Sequence, residues 1–499
     1  MNAILHAIPA LYALLPEVIL GVLALLALAL DLSVLRACAL RVRMACAAWL
    51  GVAACVAAIA WLLLHVPAQS SVAGGMLAAN SLTALVQVAM LVLSACVLLL
   101  WMDARTAHHA GESVLLILFA TVGMLLLVAA QDLLLIFLSL ELLSLPLYIL
   151  TALDARRDVD GASSSAHAAE ASLKYFLFGG VSSAMLLFGF SLLYGLANST
   201  RLASVAIAVQ AAPLQPLLLA ATALIVVGLG FKIAAAPFHF WAPDVYEAAP
   251  ASSAALIASG SKVAAFFLFF QIFTLGLTSA RGWTLMLAVI AALSIALGSL
   301  AATVQTNVRR LLAYSAVAHA GYMLLAFLAG TRANLPALLF YVVTYALAAL
   351  GFFGVVAVLE NAGVGDTLEA WAGLSQRSPL LAGSAAIFLF SLAGVPPLAG
   401  FFGKFYLFAA VLQRAPIASI PFWLVVLAIA MSAVALYYSL RVLKPAFVAD
   451  PAVGAGAIPI PFVSRVVVLL LAAAVIVLGC APQLFLHWIL CAIQTAGLR

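Results

Sequence analysis

The chain is written almost end to end in blocks of about twenty apolar residues, the length that carries one helix across the hydrocarbon core of a bilayer. Cutting at the polar, glycine and proline clusters between blocks gives roughly fourteen stretches on that criterion. They lie near 9–30, 44–65, 79–101, 113–130, 132–151, 171–197, 214–236, 251–276, 283–303, 311–329, 335–359, 379–412, 418–441 and 463–490. Of 499 residues, 68% are hydrophobic and 7% charged, too little polar surface to coat a soluble globule, so a soluble multidomain enzyme is excluded. The fold class that remains is an all-α polytopic membrane protein. The longest loops, 152–170 and 442–462, hold at most a turn or a short surface helix, so 1–499 reads as a single membrane domain. Residues 1–30 carry Glu17 in their apolar run and lack both a basic leader and a small-residue cleavage site, and read as a retained first span.

Lys and Arg in short loops mark the cytoplasmic side. With the N-terminus outside, the inner loops hold Arg36, Arg41, Arg43, Arg105, Arg156, Arg157, Arg309, Arg310, Arg377, Arg441, Lys444 and Arg465, against Arg201, Arg281, Arg332, Arg414 and Arg499 outside. That bias favours an even number of spans with both termini periplasmic. The basic residues are scattered, so no nucleic-acid face is indicated.

Of the five lysines only Lys444 sits in an obvious loop. Lys174 (ASLKYFLFGG), Lys232 (GLGFKIAAAPF), Lys262 (IASGSKVAAFF) and Lys404 (AGFFGKFYLF) fall inside apolar stretches. A charge at bilayer depth costs at least about 2.5 kcal/mol on insertion scales and normally marks an ion path. Snorkelling to the interface is the alternative, and suits Lys174, nearest a span end, best of the four. Glu141, in DLLLIFLSLELLSLPLYIL, is the best-placed intramembrane acid, with Ser139 and Ser144 its nearest polar neighbours. If charged, it needs a cation, and the intramembrane lysines are the nearest supply. Glu17 and Asp132 read as interface residues.

Lys232 precedes Pro237, and Lys404 follows Pro396 and Pro397 in GVPPLAG. Proline opens a helix, and broken helices carrying a charge at membrane depth are a transporter feature. Lys404 follows Lys232 by 172 positions and His319 follows Glu141 by 178, which suggests two copies of a five-helix unit. An odd number of helices per copy inverts one copy relative to the other. The expected organisation is three N-terminal helices (1–112), a first repeat (113–277), a second, inverted repeat (282–443) and a C-terminal helix (444–499). His239 and His319 suit proton relay by their ordinary titration range, and equally suit hydrogen-bonded packing. The six cysteines form no CxxC pair, and no P-loop, flavin or haem motif is present.

The stretches QTNVRRLLAYSAVAHAGYMLL, FKIAAAPFHFWAPDVYEAAP, IASGSKVAAF and SLAGVPPLAGFFGKFYLF together resemble the antiporter-like subunits of respiratory complex I, the proton-translocating NADH:quinone oxidoreductase, and related multisubunit cation/proton antiporters. EASLKYFLFGGVSSAMLLFGFSLLYG and the lysine at 404, where the M-type subunit has glutamate, are similar to the N-type branch. An L-type subunit would continue into a long lateral helix beyond the last core span. The resemblance implies fourteen spans, two inverted repeats with helices seven and twelve broken, and no redox centre in this chain. It assigns Glu141 and Lys232 as an ion pair, Lys262 as the central relay and Lys404 as the second-half site, and it matches His239 and Lys174 to family residues. It places NADH, FMN, iron–sulfur clusters and quinone in partner subunits, M-, K- and L-type subunits alongside, and the assembly in the bacterial inner membrane.

At about 6 Å and an effective dielectric of 20, Glu141 would stabilise a charged Lys232 by roughly 2.8 kcal/mol. Withdrawing the acid would free that proton for Lys262 and then Lys404. The rival readings are a cation/proton antiporter subunit, an M-type subunit and a non-transporting scaffold. The mostly basic inner set suits protons better than Na⁺.

Overall fold

The computed structural model describes residues 12–65, 70–105, 107–154, 163–211, 216–277, 282–328, 330–451 and 454–497. Arg156, Arg157, Arg281 and Arg499 therefore lie outside the described residues. Twelve described helices are long and apolar enough to cross a membrane. They account for every expected stretch except the seventh, whose helix ends at Lys232 ahead of Pro237, and the twelfth, which is split at Pro396 and Pro397.

Three helices, α1 (Leu15–Leu32), α2 (Leu40–Leu64) and α3 (Ser81–Met102), precede the first expected repeat. Between α2 and α3 lies a small antiparallel hairpin, β1 (Ser70–Val72) with β2 (Leu77–Ala79), which an all-helical reading omits. Then come α4 (Ala110–Ala129), α5 (Leu133–Ala152) and α6 (Ser163–Ala197), and a short α7 (Leu202–Ala211). The seventh stretch is α8 (Pro216–Lys232), and past its end an irregular turn leads into a short α9 (Trp241–Ala248) that no expected stretch covered. The eighth is interrupted too, at Ser259, into α10 (Ala251–Ala258) and α11 (Gly260–Phe270), and ends in a π-helical turn, Gln271–Gly276. After α12 (Trp283–Val304), α13 (Val308–Leu324) and α14 (Thr331–Asn361) comes α15, one turn at Leu374–Arg377. The twelfth stretch is α16 (Pro379–Ala393) and α17 (Ala399–Leu412), followed by α18 (Ile420–Val448). The expected single C-terminal helix is two, α19 (Phe462–Cys480) and α20 (Gln483–Thr495), parted at Pro482.

Several spans start where a side chain can satisfy the first free amides. Asn80 accepts from Thr83 N (2.9 Å), Asp132 from Leu134 N and Leu135 N (2.9 and 3.3 Å), and Asn307 from Arg309 N and Arg310 N (2.8 and 3.2 Å). The core lies around the eighth, tenth and eleventh spans, whose apolar windows are 100%, 89% and 94% buried. Lys262 and His319 belong to the first two, so they sit at the centre of the bundle.

Glu17 lies in the first turn of α1. It is buried, and Gln87 Nε2 of α3 donates to its Oε1 at 3.2 Å and to Leu125 O of α4 at 3.2 Å. An apolar run around an acid does not tell which side of the helix faces protein, and here the acid faces inward.

Candidate functional site

Both expected breaks end a helix beside a lysine, and in both the freed backbone groups find side-chain partners, the condition for irregular backbone at membrane depth. At the first break Trp241 Nε1 donates to Phe231 O (3.1 Å), and Ala236 N donates to Ser294 Oγ of α12 (2.8 Å). At the second, Gly400 N donates to Ser391 Oγ (3.1 Å), and Lys404 Nζ donates to Ala393 O, the last carbonyl of α16 (2.9 Å). Gly394 turns the chain there with φ +89°, and a Cβ on it would lie 3.1 Å from Lys404 Cδ.

Lys232 closes α8 and is buried. Its Nζ donates to Ser144 Oγ at 2.8 Å, and Ser144 donates onward to Leu140 O at 2.6 Å. Ser144 lies one turn beyond Glu141 on α5, so lysine and acid are brought to one neighbourhood, but no N···O contact within 4.0 Å joins them. Glu141 is half-buried, with Oε1 enclosed and lacking a hydrogen-bond partner. The side chain that meets the Lys232 amine at hydrogen-bond distance is therefore the Ser144 hydroxyl, with the acid of the implied ion pair one turn away on the same helix. A cavity of about 10 Å³ lined by Ser144, Ser182 and Lys232 lies beside it, the size that one water fills.

Lys262 opens α11, three residues past the interruption at Ser259, and is 2% exposed. Its Nζ donates to Ala316 O of α13 at 2.7 Å and lies 5.3 Å from the Tyr345 ring. His319, one turn along α13, bonds through Nδ1 to Tyr341 Oη (2.8 Å), and its Nε2 is enclosed without a partner. One further turn brings Tyr322, whose ring lies 4.9 Å from Lys404 Nζ. Residues 316, 319 and 322 share one face of α13 by their spacing of three. That face spans the gap between the central lysine and the second-half lysine. Lys404 also reaches Ser432 Oγ of α18 at 3.4 Å. Among the described residues, no hydrogen bond links Lys232 to Lys262.

Lys174 is not enclosed like the other three: its side chain is 41% exposed, and its Nζ lies 2.8 Å from both Glu170 Oε1 and Asp244 Oδ2. Arg310 binds Asp244 Oδ1 (2.8 Å) and Glu247 Oε2 (2.7 Å), so α6, α9 and α13 meet in one charged cluster around a cavity of about 420 Å³. His239 lies in the first break, stacked on Phe240 at 4.8 Å, with Nδ1 enclosed and lacking a partner. It packs there and does not bond to any of the four lysines among the described residues.

Sequence reasoning passed over Tyr322, Tyr341, Tyr345 and Ser432, and noted Ser144 only as a polar neighbour of Glu141. Ser144 carried a signal, one turn from Glu141 in an otherwise apolar run. The tyrosines carried the weaker one of lying at helical spacing to His319 or to one another.

The model of the NADH:quinone oxidoreductase/Mrp antiporter transmembrane family matches residues 130–432, the region that contains Glu141, the four lysines and both breaks. NADH-quinone oxidoreductase subunit N 2 of Acidobacterium capsulatum is 49% identical over 95% of this chain and 97% of its own length. This chain belongs to the NADH-quinone oxidoreductase subunit N family. A chain in the structure of respiratory complex I from Thermus thermophilus superposes with a TM-score of 0.78 at 32% identity, covering 95% of this chain and 98% of that one. A chain of the Mrp complex from Dietzia sp. has the same fold (TM-score 0.79, covering 96% and 95%), and at 22% identity that likeness concerns the fold alone.

Proposed function

We propose that this chain is a proton-translocating membrane subunit of a bacterial NADH:quinone oxidoreductase, and that Lys232, Lys262 and Lys404, with Glu141 and His319, carry the protons. One observation carries the reading: three buried ammonium groups lie at helix interruptions, two of them on the one face of α13 that presents His319 between them. A buried ammonium is penalised by desolvation and steadied by nearby charge and hydrogen-bond acceptors. Moving Glu141 relative to Ser144 and Lys232 changes that balance and lets Lys232 release its proton inward. Lys262 receives it across a hydrated gap, and the His319–Tyr322 face hands it to Lys404 and Ser432. The driving energy enters from quinone reduction in partner subunits, which hold NADH, FMN, iron–sulfur clusters and quinone.

In the same reading the neighbours are M-, K- and L-type membrane subunits, the complex lies in the inner membrane, and fourteen crossings leave both termini periplasmic. Spans four to eight, α4 to α11, and spans nine to thirteen, α12 to α18, form the inverted repeats.

The test is Lys262→Met in the assembled complex, assayed for proton pumping in membrane vesicles. Methionine keeps much of the volume and removes the charge. Replacing a buried charge by an apolar side chain of similar size is often neutral or stabilising, so assembly should be retained and pumping lost. Pumping at the parental rate in the assembled variant would overturn the relay.

A further inference from the structure

The inner end of α18 presents a feature that the proton path does not use. Of the candidate spans α18 is among the least covered, with 22% of its apolar window buried. Tyr437, Leu440, Lys444 and Phe447 follow one another at steps of three or four, with Arg441 adjacent to Leu440, and form one stripe along the helix. Together with Phe390 of α16 they wall a groove of about 760 Å³, within the roughly 300–1,000 Å³ range of small-ligand sites. The groove is mostly apolar, yet it holds two cations one turn apart. Neither Arg441 nor Lys444 makes a side-chain hydrogen bond or ion pair among the described residues. Both lie near the end of α18 whose neighbouring loops carry the bulk of the Lys and Arg, where basic residues flank the cytoplasmic headgroups.

We propose that this groove binds one anionic phospholipid, with its phosphate held by Arg441 and Lys444 and an acyl chain along Tyr437, Leu440, Phe447 and Phe390. Charge and shape argue together. An uncharged groove would take any acyl chain, and two exposed cations without an apolar wall would hold only a diffuse layer of headgroups. Paired, they recognise a phosphate at a fixed depth beside a fixed chain, the arrangement of basic pockets between membrane helices. Guanidinium and ammonium both reach towards the headgroup level on long apolar stems, so neither charge has to enter the hydrocarbon.

The test uses the intact complex, washed in detergent and then exposed to vesicles of phosphatidylglycerol or of phosphatidylcholine, with bound lipid counted by mass spectrometry. The parental complex should retain phosphatidylglycerol at this site and not phosphatidylcholine. Arg441→Gln with Lys444→Gln should weaken that retention roughly tenfold or more, as expected for two lost surface charges. Arg441→Lys with Lys444→Arg should preserve it, which separates loss of charge from loss of structure. A photo-crosslinking residue at Leu440 supplies a readout independent of charge and of pumping. Label on lipid supports the site. Label on a partner subunit, or equal retention of phosphatidylglycerol by the parental and double-glutamine complexes, overturns it.

Discussion

At the residue scale, the spacing of Glu141, Ser144 and Lys232 matters most. The acid and lysine do not touch, and the serine hydroxyl holds the amine one turn away. If the three act as one unit, Glu141→Gln and Lys232→Gln should each strongly reduce pumping, and the double variant should cost less than the two singles combined, because residues in one network are not additive. An additive double, measured at matched assembly, would mean that they work separately. Gly394 supplies a second, steric test. With φ +89° and Lys404 Cδ 3.1 Å from where a Cβ would stand, Gly394→Ala is strained by about 1–3 kcal/mol and pushes on the lysine. It should lower the thermal stability of the subunit and slow pumping together. Unchanged values for both would show that the turn relaxes freely. The lysines and prolines of this site were legible in the sequence because the bilayer penalises them in ordinary helices. The tyrosines were not, since a tyrosine in an apolar run is penalised far less than a charge and carries no mark of its partner.

At the scale of elements, the neighbours Arg309 and Arg310 show what a loop reading misses. Both read as inner-loop cations, but the helix that starts at Val308 turns them about 100° apart. Arg309 is 0% exposed and lies 3.0 Å from both Glu360 and Asp366, with Nη1 on Ala249 O at 2.9 Å. It fastens α13 to the end of α14 and to the start of the eighth span. Arg310 is 30% exposed and fastens α13 to α9. Arg309→Gln should therefore destabilise the subunit by about 3–5 kcal/mol, since it breaks a fully buried ion-pair network by removing its guanidinium. Arg310→Gln should cost about 1 kcal/mol or less, because its pairs are reached by solvent. Unfolding midpoints in detergent would compare them, and equal losses would refute the distinction. The interruption at Ser259 was equally hidden, because ASGSK contains no proline to announce it. The breaks at Pro237 and at Pro396 and Pro397 were legible for the opposite reason.

At the scale of the whole molecule, the loop contacts sort into two sets. Arg105 N donates to Asn361 Oδ1, Asp103 binds Ser464, Asn307 pairs with Thr367, and Ile458 N donates to Arg377 O. These are all loops that the Lys and Arg count places inside. Gln131 N donates to Met76 O, Asp132 pairs with Arg201, and Gly330 lies against Arg414, all on the expected outside. No contact among these crosses from one set to the other, so the alternation of sides follows from packing as well as from charge. Which set faces the cytoplasm rests on the charge count alone. In a variant freed of its native cysteines, a membrane-impermeant maleimide added from the periplasmic side should label Gln413→Cys and leave Asp450→Cys untouched until the membrane is opened. The reverse pattern would turn the whole molecule over. It would put the Lys174–Asp244–Arg310 cluster at the periplasmic face and make the second-half lysine, not Glu141 and Lys232, the first to meet protons from the cytoplasm.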